Sequence, residues 1–437
     1  MTGIINQSAR VKFFALAGLL NFSFFCLVGC GAPNEDSSDW PVRTFENQVG
    51  TRFTPVKSFS FEAPDIKEVP LNYATSANAI WGSIGRDDKG NLYLGASTHS
   101  GPGGTAFLYK YDPSSSTLEP QGDVLGQLKR LGLYESGMGQ NKIHSKVYQA
   151  DDGYIYFSSF DEQGEDSDTN PTWGGHLWRK KSDDLNWQHL LATPEALMAV
   201  NLSGNYVYAL GYWNHVLYQF NTGTQAVTQV VIGSTPGHIS RNFLVDPIGH
   251  AYVPMVTTKS SGETTVFLNE YDTQLKLVGS YPMPSYQHKS MKKHHGIVGD
   301  ASMENGDIVF TTADGGLYEL NVYAGADGKL DYKGTMHPDG SAYIPSLFPI
   351  DGQGLVAGVG RASSKKGYEW IIYELQTRFG VAYKLDTSSL RSSLLYGTQT
   401  KDDVGNFYLV GRAGKTDGEG FRPVLLVIPV NSLWSSQ

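Results

Sequence analysis

Seven times along this chain a glycine turn, usually with Asp or Asn beside it, leads into a short strand of alternating aliphatic and aromatic residues. The seven segments are Gly90–Tyr93, Gly153–Tyr156, Gly204–Tyr208, Gly249–Tyr252, Gly306–Val309, Gly354–Ala357 and Gly405–Tyr408. Their glycines lie 63, 51, 45, 57, 48 and 51 residues apart, the period expected of repeated four-stranded units with loops of variable length. Each has an apolar strand upstream and a third strand downstream. The third strands are read as Ala106–Pro113, His176–Arg179, Val216–Asn221, Thr265–Asp272, Gly316–Leu320, Trp370–Glu374 and Pro423–Ile428. Four strands per unit, with no helical periodicity beyond the N-terminal segment, predict an all-β chain: a seven-bladed β-propeller with four antiparallel strands per blade. Residues 52–62 could supply the strand that closes the ring with the last blade.

The N-terminus is read as a targeting device. Arg10 and Lys12 precede an apolar stretch, Phe13–Gly29, which ends in Leu27-Val28-Gly29-Cys30. That is the pattern of a lipobox, in which the thiol of Cys30 takes up the lipid. Residues 1–29 are then a lipoprotein signal peptide and 30–51 a lipidated cysteine with its tether. Residues 52–437 form a single propeller. With Gly31 rather than Asp after the cysteine, the expectation is an exported outer-membrane lipoprotein, periplasm-facing or on the cell surface, anchored through Cys30 and monomeric. The chain has 2 cysteines, Cys26 and Cys30, both at the signal, so the mature body has neither disulfide nor thiol chemistry. A net charge of −9 argues against a nucleic-acid partner, which needs a basic footprint, but leaves room for a basic pocket that takes an anionic polysaccharide.

In a propeller, residues just before the first strand and just after the second strand of each blade gather at one mouth of the central channel. Before first strands the chain places His144, Arg241 with Asn242, and His294-His295. After second strands it places His99, Asp161-Glu162, Tyr212-Trp213-Asn214-His215, Arg361 and Arg412, while His176 opens a third strand beside Trp173. Tyr286, Lys292 and Lys293 flank the His-His pair. No nucleophile elbow, phosphate loop or zinc-helix motif occurs. Asp161 and Glu162 are a poor glycosidase pair, because adjacent strand residues face opposite ways. Turns such as Asp151-Asp152-Gly153 read as hairpin turns rather than calcium loops.

His, Tyr and Arg together suit β-elimination at a uronic acid. The C5 proton is hard to remove while the carboxylate is ionised, so Arg must neutralise that charge; His or Tyr then takes the proton, and His or Tyr gives one to the departing O4. On these residues the chain resembles the propeller-type polysaccharide lyases, most of all the ulvan lyases of marine bacteria. The resemblance spans about Ile80 to Gly414 and is carried by Asp88–Gly95 with His99, Phe107–Pro113, Lys142–Ser145 with Asp152–Phe157, Gly175–Trp178 and His294–Val298. It implies cleavage of ulvan, a sulfated rhamnose–uronate polymer, that leaves a 4,5-unsaturated uronate. By position, His144 matches the family's catalytic histidine, and Arg241 is the candidate neutraliser. Tyr212, Tyr252 and Tyr286 compete as acid/base tyrosine. The expected catalytic set is His144, Tyr212, Arg241, His176 and His295. The expected substrate-binding set is His99, Trp173, Trp213, Asn214, His215, Asn242, Tyr286, Lys292 and Arg361. No cofactor is required. A divalent metal (Ca, Zn or Mn) would fit the alternative of a metal-dependent pectin-type lyase or hydrolase, with His144, His176 and His295 as ligands. A third reading is a non-catalytic glycan-binding lipoprotein of a polysaccharide-uptake system.

Overall fold

The computed structural model describes residues 62–165, 173–235, 238–286, 296–350, 354–362, 367–391, 393–415 and 417–433. It forms seven four-stranded antiparallel sheets arranged as the blades of a propeller. The second strands are Leu92–Ala96, Tyr154–Phe160, Tyr206–Gly211, Ala251–Thr258, Ile308–Thr312, Leu355–Ala362 and Phe407–Gly414, one for each glycine turn of the repeat. The seven turn glycines all have positive φ, from 52° at Gly204 to 103° at Gly354, which side chains with a Cβ rarely adopt. In three blades an aspartate three residues before the turn glycine completes the turn. Asp87 Oδ1 accepts the amides of Lys89 and Asn91 at 3.0 and 2.8 Å, while the Tyr93 hydroxyl donates to Oδ2 at 3.3 Å. Asp246 with Tyr252 and Asp402 with Tyr408 repeat the arrangement. These carboxylates accept the turn amides of their own hairpins.

A single blade has apolar side chains on both faces, so it must be covered twice. The ring meets this need with a separate apolar cluster at each interface. Tyr93, Ile143, Phe157 and Trp178 pack between blades 1 and 2, and Phe348, Trp370, Phe407 and Leu409 between blades 6 and 7. The ring closes where Lys67–Val69 pairs antiparallel with Leu425–Val427 of the last blade. The closing strand is therefore Lys67–Val69 rather than the expected 52–62, of which 52–61 lie outside the described residues. So do Cys30, its tether and the signal segment.

Among the described residues one short α-helix, Val124–Arg130, interrupts the all-β pattern between blades 1 and 2. Asp123 caps it by accepting the Gly126 amide at 2.9 Å, and Val124, Leu125 and Leu128 face the interface core. Nearer the axis the inner strands touch backbone to backbone. A Cβ at Gly85 of blade 1 would fall 1.6 Å from the Val147 carbonyl oxygen of blade 2. Below one mouth, Lys146 of blade 2 reaches across the axis to pair with Asp300 of blade 5, so the channel has a charged floor.

Candidate functional site

Above that floor lies a recess lined by Trp81, His144, Lys146, Arg241, Asn242, Tyr343 and Tyr396, from the starts of the inner strands of blades 1, 2, 4, 6 and 7. Trp81, His144 and Tyr396 each stand nine residues before their blade's turn glycine, Gly90, Gly153 and Gly405. The repeat therefore delivers equivalent positions to one mouth.

Two of the expected catalytic residues meet here. Arg241 Nη1 donates to His144 Nε2 at 3.1 Å. A guanidinium can only donate, so Nε2 must offer its lone pair, and the ring proton of a neutral His144 then sits on Nδ1. Arg241 Nη2 lies 3.8 Å from Glu165 Oε1, and Lys142 Nζ lies 3.4 Å from Glu165 Oε2. Lys142 also reaches His99 Nδ1 at 3.4 Å, and His99 Nδ1 pairs with Glu162 at 2.8 Å. A continuous line of ionisable side chains thus runs along the mouth: Glu162, His99, Lys142, Glu165, Arg241, His144, with each carboxylate between or beside basic groups. Burial works against the charge on Arg241, but the groups around it, the Glu165 carboxylate among them, outweigh it, so its basicity is raised. Burial pushes the Tyr343 hydroxyl up to about 12, Arg241 opposing the shift, so Tyr343 keeps its proton at neutral pH. Trp81 anchors the rim, with Lys142 and Arg412 each 4.9 Å from the indole and Tyr396 edge-on at 5.5 Å.

Two loops hold this arrangement. In the first, Asp161 accepts the Gln163 amide at 3.1 Å and starts the 3₁₀ turn Glu162–Gly164, which presents Glu162 and Glu165. In the second, Trp213 and His215 take positive φ (62° and 48°), and the Trp213 indole N–H donates to the Gly164 carbonyl. Beneath that loop the buried carboxylate of Glu195 accepts the Asn214 amide and the Tyr218 hydroxyl, each at 3.3 Å. Burial raises the Glu195 pKa from 4.5 to about 7, against the relief of those bonds.

Several expected site residues have other duties. His176 is not at the mouth: it lies inside blade 2 with Nδ1 on His189 Nε2 at 2.9 Å, and burial lowers its pKa to about 3. Trp173 packs on the core between blades 1 and 2, and Trp213 is tied down by Gly164. His215 is buried, its pKa is pushed down to about 4 by burial, and it packs edge-on against His238 at 4.7 Å. Tyr286 is also buried and bonds His238 Nε2 at 2.7 Å. Neither can touch a polymer. Tyr212 lies among Phe160, Ala196, Met198 and Ile239 rather than on the recess wall, although it is near enough to act on Arg241. Asn242 lines the recess but donates to the Val298 carbonyl at 2.8 Å. Asn214 and Arg361 are exposed, and Arg361 is paired across strands with Tyr343. His99 stands exposed on the rim. Lys292, Lys293, His294 and His295 lie outside the described residues. Trp81, Lys142, Lys146, Glu165, Tyr343 and Tyr396 were not among the expected site residues.

Among the described residues, one trio could converge on a metal ion, Asp246 with His250 and Glu270. It belongs to the turn of blade 4, where His250 donates from Nδ1 to Glu270 at 2.6 Å and Lys329 lies 3.8 Å from the same oxygen. These contacts give the trio a structural role and supply its countercharge from protein. The expected His144–His176–His295 ligand set is not assembled by the described residues, since His144 Nε2 faces Arg241 and His176 Nδ1 faces His189.

No protein-family model matches the chain, and no characterised protein matches it in sequence. Solved structures do share its shape. U3-55K superposes with a TM-score of 0.51 at 11% identity, covering 84% of this chain and 99% of that one. YCF48 bound to D1 peptide gives 0.49 at 11% identity, over 87% and 98% of the two chains. A protein of unknown function from Dyadobacter fermentans gives 0.47 at 13% identity, over 84% and 100%. The likeness to U3-55K is one of fold.

Proposed function

We propose that the protein is a polysaccharide lyase that cleaves a uronate-containing polymer, ulvan being the first candidate, by β-elimination. The observation that carries this reading is the pairing of Arg241 with the lone pair of His144, inside a recess whose wall includes Tyr343. Arg241 is the group that would neutralise the substrate carboxylate and lower the cost of negative charge developing on it. As the carboxylate draws the guanidinium away, His144 Nε2 becomes available to take the C5 proton. The electron pair left at C5 forms the C4=C5 bond, the C4–O4 bond breaks, and the leaving oxygen takes a proton from Tyr343; Tyr343 then recovers a proton from solvent and His144 releases the one it took, which restores both groups. Trp81 and Tyr396 supply faces on which sugar rings can stack. The lipobox reading supports tethering this activity to the outer membrane through Cys30.

The test is ultraviolet absorbance from the conjugated uronate product when the purified protein acts on ulvan, with pectin and heparinoids beside it. His144→Gln keeps a polar side chain of similar reach but cannot titrate, so it should lower turnover roughly 10²–10⁴-fold with an unchanged melting temperature. A polymer whose carboxyl groups have been reduced should not be cleaved. Polymer binding without absorbance would instead make the protein a glycan-binding one.

A further inference from the structure

Glu165 stands where a ligand's carboxylate would go. Its two oxygens face two cations of the mouth, Lys142 and Arg241, at 3.4 and 3.8 Å. Both cations are largely withdrawn from water, with side chains 2% and 12% exposed, so each needs a counter-ion when no substrate is bound. The distances matter. Charge-assisted hydrogen bonds to carboxylates close to about 2.7–2.9 Å, so Glu165 holds its partners at ion-pair range and leaves room for a better-placed anion. Its side chain is 20% exposed and directly follows the 3₁₀ turn anchored by Asp161 and by the Trp213–Gly164 bond, so it can turn toward solvent while that turn stays put. Its neighbour Glu162 is committed elsewhere, to His99 and the Gly101 amide.

We propose that Glu165 is a resident counter-ion which an incoming carboxylate must displace, and that this exchange makes the mouth selective for anionic sugars. A neutral sugar cannot replace the charge Glu165 supplies, so it gains nothing from Arg241 and Lys142. A uronate repeats the contact at closer range, and in drawing Arg241 to itself it uncovers His144 Nε2. The idea rests on the lyase reading for its consequence, but the exchange requires only that a carboxylate bind at the mouth.

The experiment is calorimetric titration of the full-length wild type, Glu165→Gln and Glu162→Gln with sodium glucuronate, and with methyl glucoside as the neutral control. Removing a resident competitor should tighten glucuronate binding roughly three- to tenfold in Glu165→Gln, the size expected of a partly buried ion pair. Methyl glucoside should not change, and Glu162→Gln should not tighten. In the absence of ligand the variant should melt slightly lower, and glucuronate should raise its melting temperature more than it raises the wild type's. Glu165→Ala provides the same test should the glutamine variant fold poorly. Weaker, equal or undetectable glucuronate binding by these variants overturns the proposal and makes Glu165 a group that positions Arg241. If glucuronate exchange follows the expectation but no uronate polymer yields unsaturated product, Glu165 stands as counter-ion and the lyase reading falls.

Discussion

Glu195 ties the stability of this propeller to pH in a way that can be worked out in advance. Its carboxyl is 1% exposed beneath the Tyr212–His215 loop, and burial raises its pKa from 4.5 to about 7. Because the folded pKa is raised, folded protein holds the proton over a window in which unfolded chain has lost it. Stability therefore falls as pH rises from about 4.5 to about 7 and is level beyond either end. A displacement of this size corresponds to about 3 kcal/mol at 1.36 kcal/mol per unit. Glu195→Gln keeps an oxygen that accepts the Asn214 amide, while its NH2 can donate to the Tyr218 hydroxyl oxygen, and it carries no proton equilibrium. The variant should match wild type near pH 4 and exceed it near pH 8, by roughly 4 °C in melting temperature given the entropy of unfolding of a domain this long. Differential scanning calorimetry of both proteins across that range gives the difference directly and cancels every other titrating group. A difference that stays flat with pH would refute the reasoning, since it would mean the buried carboxyl ionises as it does in water.

Two further predictions concern the inner ring. Asp300→Ala strands the Lys146 ammonium across the channel and should cost about 3–5 kcal/mol, whereas the pair Lys146→Met with Asp300→Leu should recover most of that loss; denaturant titration of single and double variants decides between them. Gly85→Ala should destabilise by about 3 kcal/mol or more, or prevent folding, because its new methyl meets the Val147 carbonyl at 1.6 Å, while the exposed Gly223→Ala, with its nearest atom 3.4 Å away, should behave as wild type in the same assay.

The fold was legible in this sequence because its determinants are local. A turn that needs positive φ selects glycine, an aspartate satisfies the turn amides, and a tyrosine six residues on returns to that aspartate, as at Asp87 and Tyr93 or Asp402 and Tyr408. Such units show in any short window, and all seven proved to be second strands. The ring closure was not legible in this way. Lys67–Val69 is three residues long and earns its place by pairing with residues more than 350 positions away. The helix Val124–Arg130 was missed for the opposite reason, since two turns are too few to show a period, although Asp123 at its cap was a readable signal. Within the site, proximity in sequence misled. Asn214 is exposed and His215 beside it is buried, because two left-handed residues twist the loop and send its aromatic rings inward. His176 opens a strand, but a third strand, which stands away from the axis.

The aromatic residues that sequence reasoning overlooked share one property, and it explains the omission. Trp81, Tyr343 and Tyr396 stand, like His144, at the start of an inner strand, where the reading of first strands took up only His144, Arg241 with Asn242, and the His294-His295 pair. The spacing to the turn glycine was the available signal. Nine residues before Gly90, Gly153, Gly204 and Gly405 stand Trp81, His144, Glu195 and Tyr396, and Arg241 stands eight before Gly249. Blade 3 departs from the rule in its chemistry: Glu195 turns under its own loop to bind Asn214 and Tyr218. That departure couples it to the site. The loop which Glu195 supports also holds Gly164 through Trp213, and the segment ending at Gly164 leads directly to Glu165, which faces Lys142 and Arg241. The recess is thus built from two layers. The inner-strand starts supply the groups that face a ligand, and the loops after the second strands of blades 2 and 3 set the charge those groups meet before a ligand arrives.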